Sequence, residues 1–338
     1  MKRLLIYLGW ILLAASLGAV DLTKVWGPRA SFQVTFRVID EEGRPVEGAK
    51  LGCGWGRMGF KEPDAGQANL LTGQIGEAVV TGRSVFNEYA FHAEKPGYYE
   101  TRAPRPDLPL FKERANGRWQ PWNPTVPVVL KRIKNPAPMF AKHVIGEVPT
   151  KGQTVGYDLE VGDWVAPYGK GKVDDMQFYG IGEVIDRENY SGELTVTFPG
   201  PGNGIQALDL PQQDGSTLRM PYEAPAENYA PRWTWRTVLR VDYKTYKVLE
   251  RVDDSKDERN FYFRVRAVVD AKGKVIQAWY GKIHGPFQFG PRGKGGLPGI
   301  SFRYYLNPDG TRNVEFDPKR NLFHPQNDRD SAFWNLGP

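Results

Sequence analysis

The sequence predicts an all-β protein, and three observations carry that expectation. Gly (38) and Pro (27) are spread along the 338 residues and interrupt every stretch long enough for a helix. Between them lie short runs in which apolar and polar residues alternate, the period of a strand with one buried face. No long amphipathic helical stretch occurs anywhere in the chain. Strands are then the remaining way to satisfy the backbone polar groups of a core. A chain of this length exceeds what one core usually serves, so two domains are expected.

The first element is a leader. Lys2 and Arg3 precede an apolar run over residues 4–15, and the small residues Ser16, Gly18 and Ala19 follow. This is the three-part order of a secretory signal peptide, assigned to residues 1–19, with cleavage after Ala19 or Gly18. The run is shorter than the ~20 residues of a spanning helix, so cleavage is expected rather than anchoring, with no membrane attachment afterwards. The expected location is outside the cytoplasm: periplasm, cell surface or medium. Cys53 is the single cysteine, so no intrachain disulfide can form and the core must hold the fold. It sits in the run LGCGWGRMG and reads as a buried small residue, with no neighbour in sequence to activate its thiol.

The first strand has Phe32, Val34, Phe36 and Val38 on one face and Gln33, Thr35 and Arg37 on the other. A turn at residues 40–45 leads to a strand beginning at Val46. Further turns and strands follow at residues 72–78 and 88–99, and the segment closes with a strand at residues 125–131. The successive runs VTFRVIDEEGRPVEGAKL, TGQIGEAVV, YAFHAEKPGYYETR and VPVVLKRI resemble the carboxypeptidase regulatory-like, transthyretin-like β-sandwich. The resemblance covers residues 31–133, about a third of the chain. It implies a sandwich and no catalytic residues, since such domains serve as spacers, stabilisers and binding modules. Gly43 and Gly97 supply turn conformations and Pro45 fixes the entry to a strand. The sequence departs from the family pattern in a long insert, residues 103–124, rich in Pro and Trp.

Residues 134–138, Asn-Pro-Ala-Pro-Met, read as a stiff linker. Residues 139–338 carry their own strands and turns and are expected to form a larger β-sandwich or jelly-roll-like domain. Phe261, Phe263, Val265, Ala267 and Val269 are expected on one face of a strand. A turn at residues 270–273 then makes a hairpin with the strand that begins at Val275. Trp233 and Trp235 share a face with Leu239, Val241 and Tyr243 and are expected in the core. The stretch is similar to secreted bacterial proteins that pair a regulatory-like domain with a region ending in YYLNPDGTRN, EFDP and NLF; that similarity brings no activity with it. Residues 134–231 carry a net charge of −7 and residues 232–338 one of +8, which favours two halves of a single domain.

Most chemistries are excluded for lack of a motif. Lys and Arg of the basic end alternate with core-like residues and accompany no nucleic-acid-binding signature, so no nucleic-acid partner is expected. His92, His143, His284 and His324 are far apart in sequence and make no metal-binding spacing; no metal and no cofactor is expected. There is no nucleophile elbow, phosphate loop or dinucleotide fingerprint. Residues 290–296, GPRGKGG, could wrap an anion but lack the strand-to-helix setting and read as a hairpin tip. The acidic run at residues 253–258 lacks calcium-loop spacing, and residues 307–310 read as a turn. Asp158, Asp163, Asp174, Asp175 and Glu183 fall close together, and a glycosidase would need two carboxylates facing across a cleft.

Aromatic residues are the last signal, with ten Trp, 16 Tyr and 17 Phe. Trp119 and Trp122 lie in the insert, in a stretch without strand alternation. They are the candidate ligand-binding residues, as rings on which a sugar could stack. Packing of the same loop onto a domain is the competing account. The leading expectation is an exported, non-catalytic binding or structural protein associated with polysaccharide or a cell-surface component. The alternative is a polysaccharide-degrading enzyme using carboxylates of the second domain.

Overall fold

The computed structural model describes residues 29–56, 66–85, 87, 89–102, 110–210, 215–291, 296–323, 331–333 and 336–338. The leader at residues 1–19 lies outside the described residues. The all-β expectation holds: strands dominate, and Ser331–Phe333 form a short 3-10 turn. The chain divides into two compact units, Met1–Arg132 and Ile133–Pro338.

The first unit is a β-sandwich. Its five-stranded sheet runs β4 (Glu77–Ser84), β1 (Ala30–Asp40), β8 (Arg118–Gln120), β7 (Glu113–Ala115), with β9 (Thr125–Leu130) also paired to β1. The four-stranded sheet runs β3 (Gly66–Leu71), β2 (Lys50–Trp55), β5 (Tyr89–Glu94), β6 (Thr101–Arg102). Phe32, Val34, Phe36 and Val38 of β1 are buried, and pack with Leu51, Val80, Tyr89, Phe111 and Leu130. Asp40 ends β1 and organises the turn after it. Its Oδ1 accepts the backbone N–H groups of Glu42 (3.1 Å) and Arg44 (2.9 Å), and its Oδ2 accepts from the guanidinium groups of Arg44 (2.9 Å) and Arg132 (3.0 Å). Burial works against the ionised carboxyl. The Arg44 backbone N–H and the two guanidinium groups outweigh it and hold Asp40 down at about 2.

The second unit pairs two six-stranded sheets. One runs β15 (Gly204–Asp209), β18 (Arg259–Val269), β19 (Val275–Gly290), β20 (Gly299–Asn307), β10 (Ala137–Glu147), β21 (Phe316–Asn321). The other runs β12 (Asp163–Trp164), β11 (Thr154–Asp158), β13 (Met176–Val184), β14 (Tyr190–Thr197), β16 (Arg232–Asp242), β17 (Lys247–Asp253). Their facing sides share one core, drawing Phe178, Val196 and Phe198 from before residue 231 and Trp235, Phe263, Phe287 and Phe302 from after it. Stacked rings run through it: Trp235 on Phe287 at 4.2 Å and Phe287 on Phe302 at 4.7 Å between centroids. The outer side of the first sheet is covered in turn by Met220, Ala224 and Val314, which pack on Tyr262, Ala278 and Tyr280.

Three local expectations are corrected. Residues 134–138 are not a free-standing linker: the Lys134 and Asn135 backbone N–H groups donate to the buried Glu315 carboxylate (2.9 and 2.6 Å), and Ala137 already begins β10. The inward alternation of β18 stops at Val265. A bulge follows, with Arg266 at φ +53°, and Ala267 packs instead on the opposite face of the sheet. Trp235 is core and Trp233 packs partly buried against it, but Tyr243 lies beyond the end of β16 and is exposed.

Candidate functional site

The sheet of β11 to β17 turns one side to the core and the other outward. In β13, Met176 and Phe178 point in while Tyr179, Ile181 and Glu183 point out; in β14, Leu194 and Val196 point in while Ser191 and Glu193 point out. Antiparallel register sets Ile181 opposite Glu193 and Glu183 opposite Ser191. It then sets Glu193 opposite Arg236, Ser191 opposite Val238, and Arg240 opposite Glu250. With Lys151 from the loop before β11, these side chains line a groove of ≈ 430 Å³ across four strands.

Small residues beneath the groove let the sheets close on each other. A Cβ at Gly182 would lie 2.7 Å, and one at Gly192 2.8 Å, from the Pro291 Cβ. Only glycine leaves room there for the end of β19 to approach.

The groove is charged in both signs. Glu250 pairs with Arg236 (3.5 Å) and more loosely with Arg240 (4.0 Å). Among the described residues, Lys151, Glu183 and Glu193 make no ion pair. Val238 forms an apolar floor. At one end the β13–β14 and β16–β17 hairpins are tied together: the Tyr243 hydroxyl donates to Asp186, and the Val241 N–H donates to Asn189 Oδ1 at 3.1 Å. The Tyr243 hydroxyl leads the interactions that hold the Asp186 carboxyl below its usual range. Ile185, Tyr246 and Leu249 are left exposed beside this tie. The arrangement offers hydrogen-bond donors and acceptors along a strip, with rings and aliphatic side chains at its end. Ser191 has no histidine beside it in the lining, and no cluster of three or more metal-ligating side chains occurs among the described residues.

The residues singled out by sequence are placed as follows. Trp119 is 6% exposed: it packs in the first core against Phe111 and donates its indole N–H to the Ser84 carbonyl (3.1 Å). The insert that carries it forms the β7–β8 hairpin and joins the β1 sheet, which is why the ring is buried. Trp122 is 38% exposed, with the Arg118 guanidinium 4.9 Å from its ring centre. The two indoles therefore do not form one exposed platform. Residues 103–109 of the insert lie outside the described residues.

Asp158 and Asp175 are spent on structure. Asp158 accepts four backbone N–H groups, from Glu160, Val161, Lys172 and Val173. Burial opposes its charge and those donors win, holding the carboxyl below its ordinary range. Asp163 accepts from the Trp164 and Lys170 backbone, and Asp174 from the Gln177 side chain. Of the five carboxylates, only Glu183 faces the groove. Cys53 is buried, and burial pushes its thiol up to about 12, so it is no nucleophile. His143 and His284 lie on β10 and β19, away from the groove lining. His324 and residues 292–295 of the Gly-rich loop lie outside the described residues. Lys151, Glu193, Arg236, Arg240 and Glu250 were not marked by any motif. Only strand pairing brings them together.

No protein-family model and no curated protein matches the chain. Among solved structures it is similar to the shaft pilin SpaA from Lactobacillus rhamnosus GG, at 13% identity over 52% of this chain and 90% of that one, with a TM-score of 0.18. A single-site variant of that pilin matches at 14% identity, 52% and 89% coverage and the same score. A likeness at this score assigns nothing to this protein.

Proposed function

We propose that the protein is an exported, non-catalytic binding module that holds a polysaccharide in the groove on the outer face of the β11–β17 sheet. The observation that carries this reading is the groove itself. It offers three charged side chains without ion-pair partners among the described residues, Lys151 from a loop and Glu183 and Glu193 set by strand register. Sugar hydroxyls are matched by carboxylate acceptors and ammonium or guanidinium donors, and such charge-assisted hydrogen bonds are the stronger kind. Exposed Tyr243 and Tyr246 at the hairpin ends supply ring faces close by. Export rests on the leader at residues 1–19. The first unit fits a transthyretin-like, carboxypeptidase regulatory-like sandwich acting as a spacer, and its Asp40-centred turn is the feature that supports that finer assignment.

A second reading has one observation in its favour. Glu183 and Glu193 occupy diagonal positions on adjacent strands, a spacing within reach of a glycosidase pair. One experiment separates the two. The mature chain is screened on a glycan array, and any glycan retained is then tested for cleavage. Retention without cleavage, lost in Glu183→Gln and Glu193→Gln, is the expected result. Cleavage abolished by either change would establish the enzyme instead, and retention of nothing, or equal retention by both variants, would overturn the groove as the site.

A further inference from the structure

The opposite side of the molecule's other sheet carries a different chemistry. On the outer face of β18, β19, β20 and β10, Tyr262 stands opposite Lys282, Lys282 opposite Tyr305, His284 opposite Arg303, and Arg303 opposite His143. Opposed residues of a pair have Cβ atoms only about 5 Å apart, so these side chains form one patch. Arg219 reaches it from the covering segment, with Nη1 3.4 Å from His284 Nε2, and His143 Nε2 is 3.0 Å from Ser301 Oγ.

The patch is rich in donors that lack acceptors. Lys282 is 1% exposed; its ammonium lies 5.0 Å from the Tyr305 ring centre and donates no hydrogen bond among the described residues. The buried hydroxyls of Tyr262 and Tyr305 and the buried Nε of Arg303 have no hydrogen-bond partner among the described residues. Buried polar atoms of native proteins are normally satisfied, so three such donors in one patch, beside a buried ammonium, call for an explanation. Glu315 is the carboxylate that acts on Lys282, but its oxygens already accept the Lys134 and Asn135 backbone N–H groups. Lys282 and Tyr305 are buried, while His143, Arg219, His284 and Arg303 beside them are only half-buried.

We infer that this patch is a binding site for a multi-oxygen anion, a phosphate or sulfate group, held by Lys282, Arg303, Tyr262 and Tyr305. The donor set matches such a group: an ammonium, a guanidinium and two phenols converge from three strands, and a tetrahedral oxyanion has oxygens enough to accept from all of them. Without it, burial pushes Lys282 down to about 7, and burial together with Lys282, Arg219 and Arg303 pushes His284 down to about 3. An anion there adds to the Glu315 carboxylate as a counter-charge for Lys282 and offsets the cost of its burial.

The test is titration calorimetry of the whole mature chain with inorganic phosphate and with sulfate, against chloride at matched ionic strength. Saturable binding of phosphate or sulfate but not chloride is expected, and which oxyanion binds tells a phosphorylated from a sulfated ligand. Lys282→Met removes the ammonium at similar volume, and Arg303→Gln removes the guanidinium at a half-buried position. At least one of them is expected to weaken binding tenfold or more. No saturable binding of either oxyanion, binding of chloride alike, or undiminished binding by both variants would overturn the proposal.

Discussion

Arg266 donates its Nε–H to Asp175 Oδ1 at 2.8 Å and an Nη2–H to Asp175 Oδ2 at 2.9 Å, and this two-point pair joins the two sheets of the second unit. Arg266 leaves the alternation of β18 to reach it, at a left-handed backbone conformation that an arginine rarely adopts. Its guanidinium also meets Asp158 and Glu160 and lies 4.3 Å from the Trp279 ring centre. Burial disfavours the charge on Arg266, yet the hydrogen bonds it donates to Asp175 and Glu160 prevail and raise its pKa further.

The first prediction follows from that pair. Arg266→Ala leaves two buried carboxylates without their counter-charge, and breaking a buried pair from one side costs about 3–5 kcal/mol. Chemical denaturation of the mature chain measures it. The double variant Arg266→Ala, Asp175→Ala is expected to lose less than the sum of the two single changes, because one of the two stranded charges is gone.

Asp40 gives the first unit an acid limit. Its carboxyl is held at about 2 against an ordinary 3.8, so the folded state favours the ionised form. That stabilisation is fully present above pH 3.8 and is lost as pH falls through about 2. Asp40→Asn is therefore expected to lower the urea midpoint of the first unit at pH 6 and to converge on the parent as pH approaches 2. Equal midpoints at pH 6 would show that the carboxylate contributes nothing to the turn.

Trp119 and Trp122 are expected to part company. Trp119→Ala empties a core site and costs roughly 3–5 kcal/mol. Trp122→Ala removes a half-exposed ring and an exposed contact with Arg118, worth about 0.5–1 kcal/mol. Melting curves of the two variants measure the difference.

Gly192 tests the fit between the sheets below the groove. An alanine Cβ there meets Pro291 at 2.8 Å and the Phe289 ring at 3.1 Å, and a proline ring directly after β19 has no side-chain torsion by which to swing aside. Gly192→Ala is expected to destabilise the second unit by about 1–3 kcal/mol, the range for overpacking. A melting temperature equal to the parent's would mean that the loop after β19 gives way.

The sequence by itself determined the all-β class, the buried face of β1, the turn at Asp40 to Pro45 and the hairpin of β18 and β19, because these depend on residue spacing of two and on local turn chemistry. Cys53 as a buried residue was legible for the same reason: its neighbours leave nothing to activate it. Tertiary structure alone decided where β18 breaks its alternation, since Arg266 is drawn across to Asp175, 91 positions earlier. It decided the fate of Trp119, because an insert that looks like a loop pairs with β1 and buries its ring. It also assembled the groove and the cationic patch. Glu193 and Arg236, or Lys282 and Tyr305, are neighbours only through strand pairing, a non-local register that spacing along the chain does not encode.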